Sequence, residues 1–264
     1  MLFVLTVCED LCRMPSVDAL YPISTAMECI KAPLLTKEVF EQNQLSVEKL
    51  VELHAFQDLA ANPPTEYAHL KVDVNARLAE IRSTYQAKLE EGVEVPAHEY
   101  YSALSQVFLD LKDPHTLYVK PNFYGKFRLY FPFMIVEQDG FFYANEYPAG
   151  SNYAPIQSMY ESLYGELEID PTDRIFRVNG MDVLEWLTKY ANLYDYSSKS
   201  DNGRVNSELS GALYNKRLDV YNIPAEEDQS IEIQYISGRT QTVHFVIKTS
   251  STFANSDEAR KLYE

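Results

Sequence analysis

Apolar residues recur at helical spacing up to about Leu111 and at shorter, strand-like spacing after it. Ser16 to Ile30 reads as one helix, and Thr36-Lys37-Glu38-Val39 as a cap and start. Ser46 to Leu59 reads as a further helix capped by Ser46, with Val47, Leu50, Val51, Leu53, Phe56 and Leu59 as its stripe. Asn62-Pro63-Pro64 ends it. Asp73 to Leu89 puts Val74, Leu78, Ile81, Tyr85 and Leu89 on one face, and Glu91-Gly92 closes it. Pro96 to Leu111 carries Tyr100, Leu104, Val107, Phe108 and Leu111. Such stripes need one another for burial, so the first part reads as a helical bundle.

After His115 the texture changes. Tyr118, Phe127, Leu129, Phe131, Phe133, Ile135 and Phe142 dominate short runs. Gln138-Asp139-Gly140 reads as a hairpin turn, and Asn179-Gly180 as a tight turn that needs positive φ. Leu184 to Tyr190 starts a helix, and Ser197 to Gly203 reads as a polar loop. Ser230 to Ile236 and Gln241 to Ile247 alternate with period two around Ser237-Gly238, a second hairpin. No internal repeat or low-complexity segment is visible. The fold class expected is α+β, divided into a helical part at 1–118, a β domain at 119–250 and a closing segment at 251–264.

The chain has 264 residues, of which 46% are hydrophobic, enough for a packed core. Its formal net charge of −16 argues against a nucleic-acid partner, because phosphate binding needs a basic face. Twenty tyrosines and thirteen phenylalanines suit strand faces and grooves as well as core packing. No apolar run approaches the ~20 residues of a membrane span. Leu2 to Cys8 is apolar but short and lacks a basic start, so it reads either as a signal-peptide remnant, favouring a secreted protein, or as a buried first element. Cys8, Cys12 and Cys29 fit one disulfide plus a thiol, or three reduced thiols. His54, His69, His98, His115 and His244 lie on separate elements without ligand spacing, so no metal or other cofactor is expected.

The candidate catalytic residue is His115, in Leu111-Lys112-Asp113-Pro114-His115-Thr116. Asp-Pro stops the preceding helix and leaves an imidazole on a turn, where it can serve as a general base. Ile169 to Leu187, with Asp173, a short strand, Val178-Asn179-Gly180 and a helix, resembles a PDZ domain. A helical segment, a helix ending in Leu-x-Asp-x-His-Thr, and then this PDZ-like part together resemble the tail-specific (C-terminal processing) serine peptidases. The branch resembled is that of the chlamydial protease-like activity factor and its fungal relatives. Cys29-Ile30-Lys31-Ala32-Pro33-Leu34, Asn62-Pro63-Pro64, Val72-Asp73-Val74, Phe131-Pro132 and Asp139-Gly140 agree in order, from about Ala26 to Thr249.

That resemblance implies a serine nucleophile, a histidine base matching His115, and a glutamate that orients the base. Asp113 and Thr116 are expected to shape the turn. The serine and glutamate belong to a following α/β core that is absent from this sequence. Ser256 to Glu264 reads as the start of such a core, Ser210-Gly211 is no substitute for a nucleophile, and no Gly-x-Ser-x-Gly elbow occurs. Two readings follow. One is the N-terminal portion of a serine endopeptidase whose PDZ-like domain positions or gates a polypeptide substrate, with a homodimer as a further partner state. The other is a non-catalytic PDZ-like module that binds peptides or regulates, although Phe131-Pro132-Phe133-Met134-Ile135 stands where a carboxylate-binding Gly-Leu-Gly-Phe turn would be.

Overall fold

A computed structural model of the chain describes residues 12–53 and 57–264. The Leu2 to Cys8 segment, His54 and Phe56 lie outside the described residues. The molecule is α+β, with two antiparallel sheets and a helical layer built largely from the first half of the chain.

The expected Ser16 to Ile30 helix is corrected. Leu20–Pro22 forms a short strand, β1, and helix α1 runs Ile23–Lys31. Pro22 holds the residue before it extended and has no N–H for a ladder, which suits an edge strand. A disulfide joins Cys12 to Cys29 of α1.

The expected start at Ser46 is corrected as well. One helix, α2, runs Lys37–Glu52, capped by the Thr36 hydroxyl accepting from the Val39 amide. Ser46 sits inside it and donates back to the Gln42 carbonyl at 2.7 Å. That i−4 bond removes the reason for a break. A short helix, α3, follows at Gln57–Ala61.

The next two helices match the pattern closely. Helix α4 covers Val74–Glu90 with Asp73 as its cap, and α5 covers Ala97–Leu109. Gln44 of α2 is fully buried and donates to the Leu78 carbonyl of α4. Ion pairs join Glu48 to Arg82 across α2 and α4, and Arg77 to Asp110 across α4 and the end of α5.

The four-stranded sheet has the order β1-β9-β2-β6, where β2 is Phe127–Tyr130, β6 is Asn215–Arg217 and β9 is Val246–Thr249. The five-stranded sheet has the order β3-β4-β5-β7-β8, with β3 at Met134–Gln138, β4 at Phe141–Asn145, β5 at Arg174–Val178, β7 at Ser230–Tyr235 and β8 at Thr240–His244. Both predicted hairpins form. Asp139 and Gly140 take positive φ between β3 and β4, as a two-residue loop requires.

The chain passes between the sheets at two aromatic seams. Phe131 and Phe133 lie between β2 and β3, and Phe245 lies between β8 and β9. Phe131 meets Phe133 at 4.9 Å and Phe245 at 5.0 Å between ring centroids. The second hairpin therefore ends at Phe245, where the strand expected to run on to Ile247 changes sheet.

The described residues hold four further α-helices: α6 (Ala154–Tyr164), α7 (Val183–Tyr194), α8 (Asp201–Ser207) and α9 (Ser256–Tyr263). Helix α8 corrects the polar loop expected through Gly203. Its Arg204 is fully buried and bonds the Ser198 carbonyl and Asn192, so the segment coils around one guanidinium.

Candidate active site

Helix α5 ends at Leu109, and Lys112 then takes a left-handed conformation, φ 52. That conformation costs a non-glycine residue of order 1 kcal/mol, so neighbouring contacts must hold it. The contacts come from the end of α7. The Lys112 ammonium donates to the carbonyls of Asn192 at 2.7 Å and Asp195 at 2.8 Å. A cation over unsatisfied carbonyls at a helix C-terminus suits both the hydrogen bonds and the dipole. Lys199 reaches back to the Leu111 carbonyl at 3.1 Å, so the turn is clasped from two sides. Burial pulls the Lys112 ammonium down to about 8, with Asp110 and Asp195 opposing that effect.

Asp113 then organises the turn. Its Oδ1 accepts the His115 amide at 3.0 Å and its Oδ2 accepts the Thr116 hydroxyl at 2.7 Å. The His115 ring nitrogen Nδ1 stands 3.4 Å from Asp113 Oδ1, and the ring is 90% exposed. Partial burial acts to raise the Asp113 carboxyl. The amide, hydroxyl and imidazole contacts outweigh it and leave the group below its ordinary value. Asp113 thus shapes the turn and also faces the imidazole. Among the described residues the other ring nitrogen has no partner. The imidazole thus projects into solvent with its Nδ1 side toward Asp113.

The other sequence candidates are dispersed. Ser210 is in a π-helical turn at Glu208–Ala212, and its hydroxyl donates to the Ser207 carbonyl. His69 lines a 310 Å³ cleft with Arg77, Asp110, Lys112 and Asn192, beside the His115 turn. His98 lines a 540 Å³ cavity on another side of α5, and its Nδ1 is buried without a partner. Burial, then the charges of Lys31 and Lys120, push this imidazole down to about 4. His244 stacks on Tyr164 at 4.5 Å. Among the described residues no group of three or more His, Cys, Asp or Glu is placed to hold a metal. Nor is any described helix long and apolar enough to cross a membrane.

Behind the turn lies a cluster that the sequence reading missed. Glu208 and Lys216 are fully buried and paired at 2.6 Å, and Lys216 also reaches the Tyr194 carbonyl. Burial drives the Glu208 carboxyl upward against the pull of Lys216. Asp195 is fully buried and accepts the Tyr196 and Ser197 amides. Nothing in spacing separates these residues from the chain's many surface charges. The one local sign is the lysine between the last apolar residue of the α5 stripe and the Asp-Pro stop.

No family model matches the sequence. No curated protein matches it either. It is similar to solved structures of CPAF, the chlamydial protease-like activity factor. A CPAF point mutant is 18% identical with a TM-score of 0.47, over 84% of this chain and 34% of that one. Mature CPAF is 17% identical with a TM-score of 0.46, over 88% and 37%. Mature CPAF complexed with lactacystin is 18% identical with a TM-score of 0.44, over 88% and 38%. The chain thus spans little more than a third of the length of these structures.

Proposed function

We propose that this chain is the base-bearing and substrate-positioning N-terminal portion of a serine endopeptidase of the tail-specific type. The observation that carries the reading is the exposed His115 imidazole with Nδ1 facing Asp113 at 3.4 Å, on a turn clasped by Lys112 and Lys199. In this reading His115 takes the proton of a serine hydroxyl supplied by a catalytic core and returns it to the leaving amine. The order of motifs from Ala26 to Thr249 supports the same assignment, with the division at 1–118, 119–250 and 251–264 and with polypeptide as substrate. The Cys12–Cys29 disulfide supports an oxidising compartment. A homodimer belongs to the proposal as an assembly state that sedimentation reads directly.

The test uses the natural protein that contains this chain together with a serine-bearing core. His115→Ala abolishes hydrolysis of an unfolded polypeptide and leaves the melting curve unchanged. Full activity in that variant overturns the reading.

A second reading, a non-catalytic peptide-binding module, is favoured by the edges of the five-stranded sheet. The β3 edge is plugged, because the Tyr214 hydroxyl accepts the Ile135 amide and donates to its carbonyl. The β8 edge is open at Thr240 and Thr242, and its end is tied by the His244 amide to Tyr160 of α6. A peptide joining by strand addition would therefore use β8. Binding of extended peptides by the 264-residue chain, lost on Thr242→Pro, would favour this alternative.

A further inference from the structure

We infer that the outer face of the four-stranded sheet is a binding site for a compact ligand bearing a di- or triphosphate group. The register places Lys248 of β9, Arg128 of β2 and Arg217 of β6 directly opposite one another on three adjacent strands. Residues opposite one another share a face, with Cα atoms about 5 Å apart, so the row spans about 10 Å. Like charges in that position repel, and a sheet with no use for them would separate them.

Among the described residues, Arg217 alone of these three has an acidic partner, Asp219. Among the described residues Lys126, Arg128 and Lys248 form no ion pair, and Arg128 makes one neutral contact, to Asn215 at 3.2 Å. Lys126, Arg128, Tyr130, Lys248, Thr249 and Ser250 line a groove of 370 Å³ with Val17 at its rim. The neighbouring Asp18 is exposed and makes no ion pair among the described residues. Among the described residues, four cations therefore share one committed carboxylate, in a chain whose net charge is −16.

The overall charge selects the size of the ligand. A long polyanion meets the repulsion of the whole acidic surface. A small one feels mainly the groove, because charges beyond about 8 Å are screened at physiological salt. The side chains select its chemistry. Guanidinium forks grip phosphate oxygens with two parallel bonds and ammonium groups add point charge, so a compact polyphosphate matches the row better than a single carboxylate.

The experiment is calorimetric titration of the chain with inorganic tripolyphosphate, with citrate as the carboxylate comparison. Saturable tripolyphosphate binding, tighter than citrate and weakened at least tenfold in R128Q/K248Q, is the expected result. Lys189→Gln on the exposed face of α7 leaves it unchanged. K126Q, a milder change at the groove wall, weakens it in the same direction and keeps the test valid if the double variant unfolds. Three results would overturn the inference: no saturable binding, binding by both R128Q/K248Q and K126Q as tight as that of the unaltered chain, or citrate binding as tightly as tripolyphosphate.

Discussion

Neighbouring residues lead into two oppositely built groups of charges. Asp113 and His115 stand at the surface, with the imidazole 90% exposed and one acidic neighbour. Lys112, one residue earlier, points inward to a region where Asp195, Arg204, Glu208 and Lys216 are all nine-tenths or more buried. The buried group is nearly saturated with hydrogen bonds to carbonyls, amides and carboxylates. Glu208 Oε2 is an exception, with no partner. Buried charges are tolerated only when paired, so this group fixes the ends of α7, α8 and β6 against the turn. The exposed pair contributes little to holding the fold and leaves the imidazole facing solvent.

The largest effect that tests this contrast is at Lys216. Lys216→Met leaves the Glu208 carboxyl buried without its ammonium, which costs about 3–5 kcal/mol. Replacing both, as in E208L/K216M, removes the orphaned charge and recovers most of that loss. Urea unfolding reads both variants. A loss below about 1 kcal/mol in K216M would mean that the cluster does not hold the fold.

His98 falls between the two groups and makes stability depend on pH. Its folded value of about 4 lies below the ordinary 6.5. Between those values the unfolded chain binds the extra proton and the folded chain does not, so stability falls as pH drops from 6.5 toward 4. The full loss from this one group is up to about 3 kcal/mol. His98→Gln flattens that part of the curve, which unfolding midpoints at pH 4.5 and 7 would show. An unchanged slope would mean that the imidazole is not buried in solution.

Asp113 ranks below both. Asp113→Ala removes the acceptor of the His115 amide and the Thr116 hydroxyl on a partly exposed turn, at a cost of about 1 kcal/mol. The local consequence exceeds the global one. The His115 amide exchanges with solvent faster while the amides of α5 keep their protection, and hydrogen exchange separates the two.

The same contrast explains what could be read from sequence. Helices α4 and α5 were legible because Leu78, Ile81, Leu104 and Val107 repeat at helical spacing and are buried where that spacing puts them. The Asp139-Gly140 and Asn179-Gly180 turns were legible because their chemistry is local. The break expected at Ser46 failed because a serine hydroxyl can satisfy itself inside a helix, and Gln44 fills a core position through distant partners. Helix α8 failed for a related reason, since its organising residue is a buried arginine that reads as a surface charge. The candidate base was visible through Asp-Pro-His. Its clasp was not, because Lys112 meets Asn192 and Asp195 across some eighty positions of chain.

The smallest expected effect is the most telling. His115→Ala removes a side chain that is 90% exposed and whose ring, among the described residues, has one charged neighbour, Asp113. Exposed ion pairs contribute about 0–1 kcal/mol, and truncation of an exposed residue leaves stability within about 0.5 kcal/mol. The contrast therefore sharpens to a ratio. K216M alters stability several-fold more than H115A, because Lys216 is a buried half of an ion pair and His115 is exposed. If H115A instead destabilised the chain by about 2 kcal/mol or more, the imidazole would be packed in solution, and the surface needed for a general base would be lost.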